Sequence, residues 1–335
     1  MVSTKDIKLT LSRRVEIITQ PQFLDMEVLP FLGMEDGAKG DWETKIIQLD
    51  GTGAATVEVK RDGRQRAFAK LFPDESGPQM YEKLKALHAV GFGPGARYQS
   101  VEPLGFIPEY DMLLTKPAEG PAVSTYIGID DEALAAGARE AGAWLATLHN
   151  APIRTGAPKP LLESGELLSL SRRLAKMLCR RPEFLPLALD MIQALERLAE
   201  KTEEGLLVQS HGQYRPIHVF ISDASVTVID LDRSRPCDPA RDVAEFLHRM
   251  RMTMFWRTGA VEPADAATEA FLVAYRSAIA DRPYLTNLRF HWARYIFHSL
   301  NNKLKGRDSG ELSLDSTVAF YRSEFENAIN GRFCA

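Results

Sequence analysis

His211-Gly212-Gln213-Tyr214-Arg215-Pro216-Ile217-His218-Val219-Phe220 is followed, after one turn, by Val228-Ile229-Asp230-Leu231-Asp232-Arg233. Short apolar runs bounded by polar turn residues read as strands. Three such runs, 206–209, 218–221 and 226–230, predict a small β island here. The text on both sides is helical. Asp130 or Asp131 is placed to cap a helix reaching His149, with Leu134, Ala141, Leu145 and Leu148 on one face. Further helical periods cover 166–181, 185–200, 241–255, 263–280, 284–303 and 313–329. From about residue 120 onward the chain therefore reads as a helical body holding one short sheet.

Upstream the pattern is β. An apolar run at 45–49 leads into Asp50-Gly51-Thr52-Gly53, and 54–60 alternates with Ala55, Val57 and Val59 on one face. Asp62-Gly63 is a hairpin signal, and 66–72 supplies a third strand, so an antiparallel meander of three strands is predicted. Gly77-Pro78 opens a helix with Met80, Leu84 and Leu87 at i, i+4 and i+7, closed by Gly91. A strand at 112–115 runs into the Pro-containing linker 117–121. The first 40 residues yield no element. The expected class is α+β, with a small β-rich lobe at 1–116 and a larger helical lobe at 117–335.

Composition narrows the function classes. The 335 residues carry 41 Lys plus Arg against 45 Asp plus Glu, a net charge of −4, so the chain as a whole offers no electrostatic footprint for nucleic acid. No run of 18 apolar residues exists to span a membrane, and charges among the first 14 residues argue against a secretory signal. Cys179, Cys237 and Cys334 are odd in number and lack metal-ligand spacing. A cytoplasmic location follows as the expectation, with Cys179 and Cys237 as small apolar residues.

The quoted stretch resembles the aminoglycoside phosphotransferase and choline kinase superfamily. There, His-Gly-Asp is followed, after four intervening residues, by Asn, then a hydrophobic strand and Ile-Asp after a turn. Asp238-Pro239-Ala240-Arg241-Asp242-Val243-Ala244 is similar to the family's Asp-Pro-x-x-Asp-Leu-Ala helix start. The resemblance implies a protein-kinase-like bilobal fold and an ATP-dependent phosphotransferase acting on a small-molecule hydroxyl. Phosphoryl transfer needs held phosphates, metal ions on their oxygens and an aimed acceptor hydroxyl. Asp230, a carboxylate at a strand end, suits Mg²⁺, which takes oxygen ligands. By register Gln213 takes the base position and His218 the second metal position, and both depart from the pattern. A Gln amide orients a hydroxyl without taking its proton, and His is a softer ligand than Asn. The stretch is also similar to lipopolysaccharide core kinases in placing His at 218 and in Ile-Asp-Leu-x-Arg; Gln213 departs from both.

By placement, Lys70 on the third strand pairs the nucleotide phosphates, Glu82 on the following helix is its ion-pair partner and Glu75 a weaker choice. Gly51 and Gly53 would cover phosphates with backbone amides, and Leu113-Leu114-Thr115-Lys116 resembles the hinge that meets the adenine edge. If the strand continues past Asp230, Asp232 faces the same side and serves as substitute base or second metal ligand. Arg215, Arg233, Arg235 and Arg241 crowd the motif, which suggests a phosphate or an anionic acceptor. His149 and His211 read as structural and Asp242 as a brace for the loop. The losses at 213 and 218 keep a second reading open, a pseudokinase acting as a nucleotide-binding or regulatory module.

Overall fold

The computed structural model describes residues 10–33, 40–49, 54–74, 76–161, 164–202, 206–305 and 313–333. The chain divides into two compact units, one running to Glu119 and including Thr227–Ile229, the other formed by Gly120–Val226 and the chain from Asp230 onward.

The first unit begins with a helix the sequence reading did not anticipate, α1 (Leu11–Ile18), whose N-cap Thr10 accepts from Arg13 N at 3.3 Å. Short helical turns follow through Leu32. The sheet has five strands, the predicted meander β1 (Trp42–Leu49), β2 (Ala55–Arg61) and β3 (Arg64–Leu71), then, after α2 (Gly77–Leu87) and β4 (Tyr98–Ser100), the unpredicted β5 (Pro103–Ile107) and the predicted β6 (Met112–Thr115). Its order is β1-β2-β3-β6-β5, antiparallel throughout. Pro103 and Gly105 disguise β5 as a loop. Gly105 is required there because a Cβ would lie 2.2 Å from the ring of Phe31.

The N-terminal segment belongs to this core. Val15, Ile18, Phe23, Leu24 and Val28 pack with Val57, Val59, Ala69, Leu71, Met112 and Leu114. Buried Arg14 ties α1 to the sheet, donating to the carbonyls of Phe72 at 2.9 Å and Tyr110 at 2.8 Å. Val101 N donates to Val228 O at 2.9 Å, which holds the Thr227–Ile229 segment in the unit. In α2, Met80, Leu84 and Leu87 are buried, as their spacing predicts.

The second unit is mainly helical: α3 (Asp131–Asn150), α4 (Ser164–Arg180), α5 (Leu185–Ala199), then β7 (Val208–Ser210) and β8 (Val219–Ile221), then, after β9 (Val226–Val228), whose last two residues belong to the first unit, β10 (Arg235–Cys237), α6 (Ala240–Thr258), α7 (Asp265–Ile279), α8 (Leu288–Lys305) and α9 (Leu314–Asn330). Asp130 caps α3 by accepting from Ala133 N at 2.9 Å. Unforeseen β10 pairs antiparallel with β7, Ser210 opposite Arg235 and Val208 opposite Cys237. Asp238 launches α6, accepting from Ala240 N at 2.8 Å and from Asn287 Nδ2 at 2.7 Å. Cys237 is buried, which pushes its thiol up to about 11. Cys179, read as a small apolar residue, is exposed on α4, and Cys334 lies outside the described residues. Among the described residues no helix is long and apolar enough to cross a membrane.

Candidate functional site

The β7–β8 loop is fixed from beneath by one carboxylate. Asp242, in the first turn of α6 and fully buried, accepts from His211 N at 2.6 Å and Gly212 N at 2.9 Å. His149 Nε2 stands 3.4 Å from the same carboxylate, and its Nδ1 is 2.6 Å from the Tyr275 hydroxyl. Burial works to raise the Asp242 pKa. Hydrogen bonds from His149 and the His211 amide, together with the two imidazoles, outweigh it and hold the carboxyl below its ordinary range. Asp242 is thus the brace its position predicts. Gly212 has φ +82°, and a Cβ there would lie 2.3 Å from the Arg233 carbonyl, so only Gly closes this turn. Tyr214 locks the other side of the loop, donating to Ala141 O at 2.8 Å and stacking on Trp144 and Phe246.

Above this base lie the predicted chemical residues. With its amide oriented to satisfy both groups, the Gln213 side-chain oxygen accepts from Arg215 Nη1 at 3.0 Å and Nη2 at 2.6 Å. Arg215 Nε donates to Glu245 Oε1 at 2.8 Å, and Tyr295 donates to Glu245 Oε2 at 2.9 Å. The sequence reading does not single out Glu245, and it takes Tyr295 as a core or groove-wall residue. Glu245 lies three residues beyond Asp242, on the same side of α6, which was the available signal.

His218 stacks on His211 at 5.8 Å between centroids, and its Nδ1 is 3.1 Å from the Gln213 carbonyl oxygen. Burial, then His211, push the His218 pKa down to about 4, against the pull of Asp230. The ring is therefore neutral near pH 7. A carbonyl only accepts, so Nδ1 carries the proton and Nε2 presents its lone pair. That lone pair stands 3.5 Å from Asp230 Oδ2. Two acceptors facing at that separation repel unless a cation lies close to both, and a His nitrogen with a carboxylate is a donor pair suited to a divalent ion. Among the described residues no group of three or more His, Cys, Asp or Glu forms a cage, so the remaining ligands would come from phosphates and water, the usual pattern for Mg²⁺.

Two expectations are corrected here. Asp230 does not continue a strand: β9 ends at Val228, Asp230 adopts φ 63°, ψ 49°, and residues 231–233 form a single 3-10 turn. The left-handed residue breaks the two-residue alternation, so Asp232 sits exposed on that turn rather than beside Asp230 on a strand face. Arg233 is exposed on the same turn, while Arg235 on β10 and Arg241 at the start of α6 are half-buried.

In the first unit, Lys70 lies on β3 opposite Thr56 and Leu113, half-buried, with Nζ 5.8 Å from the Phe72 ring centroid. Glu82 is not its partner. It pairs with Lys85 at 2.9 Å, its side chain 66% exposed. Two residues past Met80 is about 200° around a helix, so the face that buries Met80, Leu84 and Leu87 turns Glu82 to solvent. Leu114 is buried opposite Ala69, and Thr115 is half-buried at the end of β6. Gly51, Gly53 and Glu75 lie outside the described residues.

The model of the phosphotransferase enzyme family matches residues 45–285. No curated protein matches the chain. Among solved structures the chain is similar to a choline kinase from Cryptosporidium parvum Iowa II, at 11% identity and TM-score 0.58 over 87% of this chain and 91% of that one. It is similar to the streptomycin-ATP-APH(2'')-IIa ternary complex, at 12% identity and TM-score 0.53 over 84% and 93%. It also resembles a Plasmodium vivax ethanolamine kinase, at 14% identity and TM-score 0.53 over 87% and 84%. At these identities the likeness is one of fold, and it matches the α+β architecture with an antiparallel N-terminal sheet and a helical C-terminal part.

Proposed function

Since the chain belongs to the phosphotransferase enzyme family, in the protein-kinase-like superfamily, we propose that it transfers the γ-phosphoryl group of ATP to a hydroxyl of a small molecule. The observation that carries this reading is the facing pair of His218 Nε2 and Asp230 Oδ2, 3.5 Å apart with the imidazole neutral. Asp230 is the proposed ligand of Mg²⁺, with His218 Nε2 a softer second donor beside it; the metal when bound would neutralise charge on the phosphate oxygens. Lys70 is assigned to the nucleotide phosphates. In the reaction the γ-phosphorus–oxygen bond to ADP breaks, a bond to the acceptor oxygen forms, and the hydroxyl proton leaves to solvent. Gln213 takes no proton; both lone pairs of its side-chain oxygen are turned to Arg215, so accepting from the acceptor hydroxyl requires Arg215 to give up one of its two bonds. A missing general base typically costs about 10²–10⁴ in rate, which slows transfer without abolishing it.

Calorimetry with ATP and Mg²⁺ tests the binding step. Binding that requires both the metal and Asp230 is expected, and absence of ATP binding removes the reading. One observation favours a second reading, a pseudokinase: the Gln213 amide is held by Arg215 at the base position. Gln213→Asp separates the two. Turnover that rises in the variant identifies a weakened kinase, while ATP binding with no turnover in either protein, across hydroxyl acceptors, identifies the pseudokinase.

A further inference from the structure

A separate cleft of about 370 Å³ opens among α6, α8 and α9. Arg249, Met252 and Trp256 line it from α6, Ser299 and Lys303 from α8, and Tyr321 from α9. Among the described residues no acidic residue lines it, in a chain whose net charge is −4. Among the described residues neither Arg249 nor Lys303 forms an ion pair with a carboxylate. Arg249 Nε is buried without a hydrogen-bond partner. Arg251, two residues further on, is satisfied in the usual way, pairing with Glu324 at 2.7 Å and with Asp265. Burial, with Arg215 nearby, works to lower the Arg249 pKa, so its charge is held there at a cost.

The remainder of the lining suits a flat or apolar group. Lys303 Nζ sits 3.9 Å from the Trp256 ring centroid, and the Tyr321 hydroxyl donates to Met252 Sδ at 3.3 Å. The cleft is also linked to the loop. Glu245, which holds Arg215, is one turn before Arg249 on α6. At 1.5 Å per residue, positions 249–256 extend about 6 to 16 Å along the helix from Glu245.

We propose that this cleft seats the anionic end of the acceptor, a phosphate or carboxylate held by Arg249 and Lys303, with a ring or alkyl portion against Trp256. Naming the ligand an acceptor rests on the phosphotransferase reading; the anion site does not. The test is calorimetry on the full chain without nucleotide, using phenyl phosphate, benzoate, inorganic phosphate and phenyltrimethylammonium. Phenyl phosphate or benzoate is expected to bind, the stronger of the two identifying the anionic group, and phenyltrimethylammonium is expected not to. Arg249→Ala and Lys303→Ala should each weaken the anion about tenfold or more, the loss of a charge-assisted contact. Trp256→Leu should weaken the aromatic anion and leave inorganic phosphate unchanged. Arg249→Lys, which keeps the charge, should recover part of the affinity, separating a lost contact from a lost fold. Equal affinity for anion and cation, indifference to both alanine variants, or no binding of either aromatic anion at millimolar concentration overturns the proposal. ATP titrations run in parallel, with Lys70→Ala as the nucleotide-site control. ATP binding without aromatic-anion binding removes only the anion site, and the converse removes only the phosphotransferase reading.

Discussion

Asp242 meets three donors with one carboxylate: two backbone amides of the loop and His149. An amide in its place turns an NH₂ toward one of those donors. Asp242→Asn is therefore expected to cost about 1.5–3 kcal/mol, the worth of a hydrogen bond to a charged group, read as a lower urea midpoint and weaker ATP binding. A second residue sets an acid limit. Burial, with Arg249 adding, pushes buried His248 down to about 3, against an ordinary value of 6.5. The unfolded chain takes up this proton near pH 6.5 and the native protein does not. Its effect is therefore absent above that pH, and stability is lost as pH falls from 6.5 toward 3. Each such proton contributes up to about 1.4 kcal/mol per pH unit. His248→Asn should flatten the fall of the urea midpoint on the acid side, and an unchanged slope would assign the acid loss to other groups.

Where α3 crosses α7, a Cβ on Gly142 would come 2.4 Å from the Phe271 carbonyl oxygen, whereas one on Gly137 would meet only side chains, Val123 at 3.3 Å and Ile221 at 3.4 Å. Gly142→Ala should destabilise by about 1–3 kcal/mol by forcing the helices apart, less the gain of about 1 kcal/mol that Ala brings to a helix interior. Gly137→Ala should come out more stable than Gly142→Ala in thermal unfolding. Elements with a local signature were legible in the sequence: α3 through its Asp130 cap and apolar stripe, α2 through Met80, Leu84 and Leu87, and the loop through His211-Gly212 and Asp242. The illegible ones depend on distant partners. The helix α1 is anchored by Arg14 bonding carbonyls 58 and 96 residues away, and β5, with Pro103 and Gly105 in it, is a strand through its antiparallel pairing with β6. At the site, the fall of β9 into a left-handed residue moved Asp232, and Glu82 was misassigned although helix geometry alone turns it outward. The cationic cleft has no local signature in the sequence, because Arg249, Lys303 and Trp256 come together only when α6 and α8 pack.

Taken over the whole molecule, stability and the proposed chemistry meet at position 230. Asp230 occupies φ 63°, where an L-residue is strained and Gly is not, and its carboxylate faces the His218 lone pair. Both features oppose folding, and replacing the residue relieves both. Asp230→Gly is expected to melt at a higher temperature than the native chain while losing metal-dependent ATP binding; a lower melting point would show that the carboxylate has a structural role. A library of this protein sorted by heat resistance alone would accordingly enrich for chains that have discarded residue 230, and would need a nucleotide-binding selection beside it to retain anything that works.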